Sequence, residues 1–267
     1  FPFPFPPFPF PLSPFPPTRL TTIPSQQSVF PMPRPQDIWF DHLASATHYN
    51  QWIFSKIQPP LQGKTLEVGC GSGNFTPLIA QHCTELLAVD LNADYVQQTQ
   101  ARMQQAEHVT VLTADATRLG DHPELAETVA NQGFETIIML DVLEHIETDV
   151  AVLHSLGERL APQGNLIVKV PAVEGLYNSL DRAVGHHCRY SPKRLKQAFI
   201  EAGFAAPALA YFNLVGIAGW WLNGLRQRQT PPGQQVGWFD QSVPLFQALE
   251  ARLGCPVGLS PFARARP

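Results

Sequence analysis

The sequence predicts an α/β fold: a mostly parallel sheet with helices on both faces. Two observations carry this. Short, near-continuous apolar runs alternate with segments whose apolar residues recur at helical spacing. The first run, Leu66-Glu67-Val68, passes straight into the glycine turn Gly69-Cys70-Gly71-Ser72-Gly73, a strand-turn-helix junction whose backbone a ligand can approach closely.

The elements follow in order. From 36 to about 57, Ile38, Phe40, Leu43, Ala46, Tyr49, Trp52 and Ile53 share one helical face, and Pro59-Pro60 ends it. A strand over 65–69 leads to a helix over 74–82, with Phe75, Leu78 and Ile79 inward. A second strand runs over 85–90, and Asn92 caps a helix to about 105. Strands follow at 109–112 and 134–140; Ile146, Val150, Leu153 and Leu160 then mark one helix face, and a fifth strand runs over 165–170. Ser191-Pro192 supplies an N-cap and an N1 proline, with Gly203 as the stop. Residues 208–212 read as a strand, 241–253 as a helix with Val243, Leu245, Phe246, Leu249 and Leu253 apolar, and 257–265 as a last strand. Pro261 removes a ladder donor there, so a bulge or frayed end is expected.

Composition narrows the function. The chain has 267 residues and a net charge of −4, without a Lys/Arg cluster dense enough to track a phosphate backbone, so a nucleic-acid partner is not expected. Four dispersed cysteines form neither a zinc knuckle nor a disulfide framework, which suits a reducing, cytoplasmic setting. Thirteen of the 27 prolines lie in residues 1–35, interleaved with phenylalanine. This stretch reads as a disordered extension ahead of a folded domain over 36–267, and a chain starting at Met32 is expected to fold as well as the whole.

In a sheet of this kind ligands sit outside the carboxyl ends of the strands. A carboxylate stands at three such ends. Asp90 lies 21 residues after Gly69, where an acceptor reaches a ribose diol. Asp115-Ala116 offers a carboxylate and a backbone N–H for an adenine edge, and Asp141 lies at the mouth of the site. The glycines alternate, unlike the G-x-G-x-x-G dinucleotide fingerprint.

The E-x-G-x-G-x-G turn, the acidic end of strand two, Ala114-Asp115-Ala116 and Asp141-Val142-Leu143-Glu144-His145, in that order, resemble class I S-adenosylmethionine-dependent methyltransferases. The resemblance covers residue 36 to the end. It implies a Rossmann-like three-layer sandwich with seven strands, the last antiparallel. It also implies S-adenosylmethionine as cofactor, held by Glu67, Gly69, Cys70, Gly71, Gly73, Asp90, Leu91, Asp115, Ala116, Asp141 and Val142. A turn offering acceptors near Glu67 suits the ammonium and single carboxylate of that cofactor better than a pyrophosphate.

For the acceptor, a histidine near the transferring methyl is the natural base. His145 and His186 are the candidates, Tyr190 is a third catalytic candidate, and Tyr190 and Tyr177 line the pocket. Residues 174–203 are similar to a bacterial methyltransferase subgroup carrying G-H-x-R-R-Y; here Cys188 replaces the first arginine, leaving Arg189 alone. Tyr49 and Trp52 either close over the cofactor or pack in the core. No metal is expected, because the adjacent His186 and His187 point apart in an extended chain.

Residues 214–255 read as an apolar insertion before the last strand, with Trp220-Trp221 beside Arg226 and Arg228. Peripheral membrane contact, a lid over a lipid-like acceptor, a dimer interface and a core helix all fit. The expected activity is methyl transfer to a small-molecule or lipid-like acceptor. A nicotinamide-dependent oxidoreductase and an inactive cofactor-binding subunit are the alternatives.

Overall fold

A computed structural model of the chain describes residues 34–58, 60–122 and 133–267. The Pro/Phe-rich extension expected over 1–35 lies almost wholly outside them. The described strands are β1 (Lys64–Val68), β2 (Glu85–Asp90), β3 (Val109–Thr113), β4 (Phe134–Leu140), β5 (Leu160–Lys169), β6 (Ala208–Phe212) and β7 (Ser260–Ala265). They form one sheet in the order β3-β2-β1-β4-β5-β7-β6. The first five pair in parallel, and β7 is antiparallel to both its neighbours. Chain order reverses between β1 and β4, so the crevice falls at their carboxyl ends.

Both faces of the sheet are apolar, as the continuous runs require. Leu66, Val68, Ile137, Met139, Leu166 and Val168 pack under α5 (Asp149–Gly157) and α7 (Pro192–Glu201). Their neighbours Leu86, Ile138 and Ile167 point the other way, against Trp52, Ile53 and Ile57 of α2 (Thr47–Ile57) and Ile79 of α3 (Thr76–Ala80). Truncating a fully buried leucine such as Leu66 to alanine costs about 2–5 kcal/mol in such a core.

Several boundaries depart from the sequence pattern. The helix expected over 36–57 is two, α1 (Pro35–Ser45) and α2, broken at Ala46 (φ −86°, ψ 71°). The Asn50 side chain donates to the Leu43 carbonyl across the break. Apolar spacing continues through it, so periodicity could not show the turn. Leu160 opens β5 rather than ending a helix, and it pairs with Phe134. The helix after the glycine turn is only Thr76–Ala80.

Between β2 and β3 lies α4 (Ala93–Met103), capped by Asn92, whose side chain accepts from the Asp94 N–H. After β5 come α6 (Ser179–Val184) and α7, the latter capped by Ser191. The insertion is two helices, α8 (Leu214–Leu225) and α9 (Gly233–Leu253). No helix among the described residues is long and apolar enough to cross a membrane.

The face of α9 is phased against its leucines. Leu245, Leu249 and Leu253 are exposed, while Asp240, Val243 and Glu250 turn inward or bond there. Asp240 accepts from the Tyr49 N–H at 2.8 Å, and Glu250 accepts from the Leu214 N–H at 2.8 Å. Backbone donors at α2 and at the start of α8 thus choose the helix rotation. The bulge or frayed end expected at Pro261 is not formed: Pro261 pairs with Tyr211 of β6 in a register that runs unbroken to Ser260. Pairing with β5 ends one residue away at Phe262, so the missing N–H costs no ladder bond there, and the Pro261 carbonyl accepts from the Val170 N–H at 3.4 Å.

Candidate functional site

The glycine turn leaves β1 at the centre of the sheet. Gly69 has φ +79°, and a Cβ there would lie 2.2 Å from Val142 Cγ2. Only glycine lets the Asp141–Val142 loop close down on it. Gly71 is approached by the Phe40 ring of α1, 2.9 Å from where a Cβ would stand. Its N–H donates to Asp90 Oδ2 at 2.8 Å, and its carbonyl accepts from the Thr99 hydroxyl at 2.8 Å. Asp90 also accepts from the Asn92 N–H at 2.9 Å through Oδ1. A carboxylate has about four lone-pair positions, so this one keeps capacity for two further donors. Beside it Leu91 is 70% exposed, an apolar side chain standing clear at the rim.

Glu67 is buried in β1 directly under the turn, and its Oε2 has no hydrogen-bond partner. Burial pushes its carboxyl up to about 7, and the Asp90 charge adds to the shift. Cys70, also buried, carries a thiol that burial holds protonated. Asp115 accepts from the Thr117 N–H and hydroxyl through Oδ1, which holds its carboxyl below the usual range. Ala116 follows it at the start of a 3₁₀ turn.

α1 covers this region through its aromatic residues. Phe40 meets Tyr95 edge-on at 4.7 Å, and the Tyr95 hydroxyl donates to Asp37 Oδ1 at 2.5 Å. Trp39 stacks on Trp220 of α8 at 5.8 Å. Tyr49 and Trp52 are core packing: both rings lie against Phe212, and Trp52 is buried.

Asp141 follows β4 with φ +54°, and its carboxylate pairs with Lys169 Nζ at 2.6 Å. Lys169 is buried at the end of β5. Sequence reasoning missed it, although a single charge within Leu166-Ile167-Val168-Lys169-Val170 was a visible signal.

Past Asp141 the chain makes a short 3₁₀ turn, Leu143–His145. Glu144 is fully buried, neither of its oxygens accepts a hydrogen bond, and burial raises its carboxyl well above the usual range. His145 and His186 meet edge-on at 4.8 Å between ring centroids. His145 Nδ1 lies 3.2 Å from the Gly185 carbonyl and His186 Nδ1 lies 2.9 Å from Asp181 Oδ1. Both partners only accept, so each Nδ1 carries a proton. Burial, then the neighbouring His186, lowers His145 to about 4, so it is neutral at physiological pH.

Asp181 is the hub of the segment after β5. It accepts from Arg189 Nε at 2.8 Å, from the Asn178 N–H at 2.9 Å and from Trp220 Nε1 at 3.2 Å. Arg189 is buried, donates also to the Ala172 carbonyl and lies under the Trp220 ring. Its donors are therefore spent inside the fold. Tyr190 is fully buried, with its hydroxyl donating to Asp149 Oδ2 at 2.8 Å, and Tyr177 donates to the His186 carbonyl at 2.7 Å. Of the two tryptophans, Trp220 is half-buried and bonded to Asp181, while Trp221 is exposed.

Residues 39–208 match the family described as "Methyltransferase domain". Nodulation protein S of Sinorhizobium fredii is 30% identical over 123 residues, which is 45% of this chain and 52% of that protein. The ubiquinone biosynthesis O-methyltransferase of Psychrobacter arcticus is 24% identical over 156 residues, 53% of this chain and 58% of that protein. The chain thus spans about half the length of the curated relatives it matches. An S-adenosylmethionine-dependent methyltransferase from Mesorhizobium loti superposes with a TM-score of 0.57 at 15% identity, over 84% of this chain and 100% of that one. That likeness is one of fold.

Proposed function

Because the chain belongs to the methyltransferase domain family, we propose that it transfers a methyl group from S-adenosylmethionine to a small-molecule acceptor. The observation that carries the reading is the turn over β1, where the Gly71 N–H bonds to Asp90 and the buried Glu67 beneath leaves Oε2 without a partner. The unpartnered Glu67 Oε2 fits the ammonium of the methionyl part. The spare acceptor capacity of Asp90 fits ribose hydroxyls, with Leu91 against their apolar side. Asp115 and Ala116 flank the adenine in this reading. Cys70, Gly73, Asp141 and Val142 complete the wall.

When bound, the cofactor supplies an electrophilic methyl group on sulfur. The chain's own part is to align the acceptor and, for a hydroxyl or amine, to take its proton. His186 is the better suited of the two candidates, its Nδ1 held by Asp181, whereas burial lowers His145 to about 4 and makes it the weaker base. Tyr190 enters as a packing residue that anchors Asp149. The name of the Psychrobacter arcticus relative favours a small-molecule acceptor and oxygen as the atom methylated.

Calorimetry of the purified chain with S-adenosylhomocysteine and with NAD tests the cofactor. We expect binding of the first only, and tight NAD binding alone would favour the oxidoreductase. Labelled S-adenosylmethionine offered with hydroxylated and lipid extracts then finds the acceptor. His186→Ala should lower turnover with cofactor affinity nearly unchanged, and no labelling by the wild-type chain would favour an inactive subunit.

A further inference from the structure

We propose that Glu144, His145 and His186 form a binding site for a divalent transition-metal ion of the zinc type. Their ligand atoms lie within 4.8 Å of one another. Glu144 Oε1 is 3.7 Å from His186 Nε2. The Gly185 carbonyl occupies Nδ1 of His145 and the Asp181 carboxylate Nδ1 of His186, so Nε2 is the nitrogen each ring has left for an ion. Neutral imidazoles whose far nitrogen is fixed by a carbonyl or a carboxylate are the usual outer shell of a metal site.

The arrangement has polar capacity to spare. The fully buried Glu144 side chain makes no hydrogen bond, and the ligand atoms of the three residues gather within 4.8 Å of one another. Buried polar groups are normally satisfied, so this convergence marks a place for a cation. Two nitrogen ligands and one carboxylate suit zinc and its first-row neighbours, whereas magnesium prefers oxygen ligands and keeps its water. Three protein ligands also leave the ion an open position, the pattern of catalytic rather than structural sites. The adjacent histidines His186 and His187 had argued against metal, but His186 pairs across the fold with His145 and Glu144, not with its neighbour.

The ion's role rests on the methyl-transfer reading. Glu144 is three residues from Asp141 and two from Val142, which packs on Gly69. An ion there would take an acceptor oxygen at its open position and make it easier to deprotonate.

The test uses the untagged full chain, stripped with chelator. Zn²⁺ and Mg²⁺ are titrated by calorimetry, and Co²⁺ is followed by its visible absorption. We expect one equivalent of Zn²⁺, a Co²⁺ band, and affinity weakened at least about tenfold in Glu144→Gln and in His145→Ala. Retained S-adenosylhomocysteine binding shows that these variants are folded. Absence of stoichiometric Zn²⁺ binding, equal affinity in both variants, or tighter Mg²⁺ than Zn²⁺ would each overturn the proposal. Zn²⁺ binding with no S-adenosylhomocysteine binding by the wild-type chain would leave the metal site standing and sink the cofactor reading instead.

Discussion

Lys169 and Asp141 form an ion pair across the carboxyl ends of β5 and β4, with the lysine 3% exposed. Burial alone would lower the lysine; the charge and hydrogen bond of Asp141, with Tyr49 and Glu144 nearby, together outweigh it and keep the ammonium protonated. Removing the carboxylate strands a buried charge. We therefore expect Asp141→Asn to cost about 2 kcal/mol, reduced from the fully buried case because the Asp141 side chain is itself 43% exposed. Lys169→Met should cost less, since it leaves the charge on the exposed partner. Chemical denaturation of both variants measures the order, and the reverse order would refute the assignment of Lys169 as the stranded member.

Gly69→Ala should weaken S-adenosylhomocysteine binding by at least about tenfold and destabilise the chain by about 1–3 kcal/mol. The new methyl would meet Val142 Cγ2 in a left-handed backbone conformation. Calorimetry and thermal melting report the two effects separately. An unchanged affinity would show that the turn does not touch the ligand.

Glu67 should make both stability and cofactor affinity depend on pH. Its carboxyl stands at about 7 in the fold, against about 4.3 when unfolded. The folded state therefore holds the proton longer, so its stabilising contribution is complete below pH ~4.3 and is lost as pH rises through about 7. An ammonium ligand prefers the ionised form, so S-adenosylhomocysteine affinity should rise about tenfold between about pH 6 and 8. Glu67→Gln should flatten that rise. A profile identical in the variant would remove Glu67 from the ammonium site.

The insertion gives a fourth expectation. Leu214, Trp221, Leu222 and Leu225 are exposed along α8, so this apolar stripe is available to a membrane surface. Flotation with anionic liposomes at low salt should carry the chain, and Trp221→Ser with Leu225→Gln should reduce it. A wild-type chain that stays at the bottom of the gradient has no such contact.

Much of this was legible in the residues themselves. The strand runs, the alternate glycines and the carboxylates at strand ends depend on spacing along a few consecutive residues, and spacing survives in a linear text. Asn92 and Ser191 as caps belong to the same class, because a cap acts on a backbone N–H two or three residues away. The α9 face was misjudged for the opposite reason. Its leucines match a helical stripe, but the rotation is set by N–H groups of Tyr49 and Leu214 that lie far off in the chain.

By itself, then, the sequence determined the α/β class, the order of the strands along the chain and the turn on which the candidate cofactor site is built. Only the tertiary structure decided what His145, His186, Glu144 and Asp181 do together. His186 lies 41 residues beyond His145, and the elements carrying them meet only after β4 and β5 pair and α6 folds back toward the sheet. The charges on those side chains follow from burial and from the partner on each Nδ1, and neither exists until the chain has closed around them.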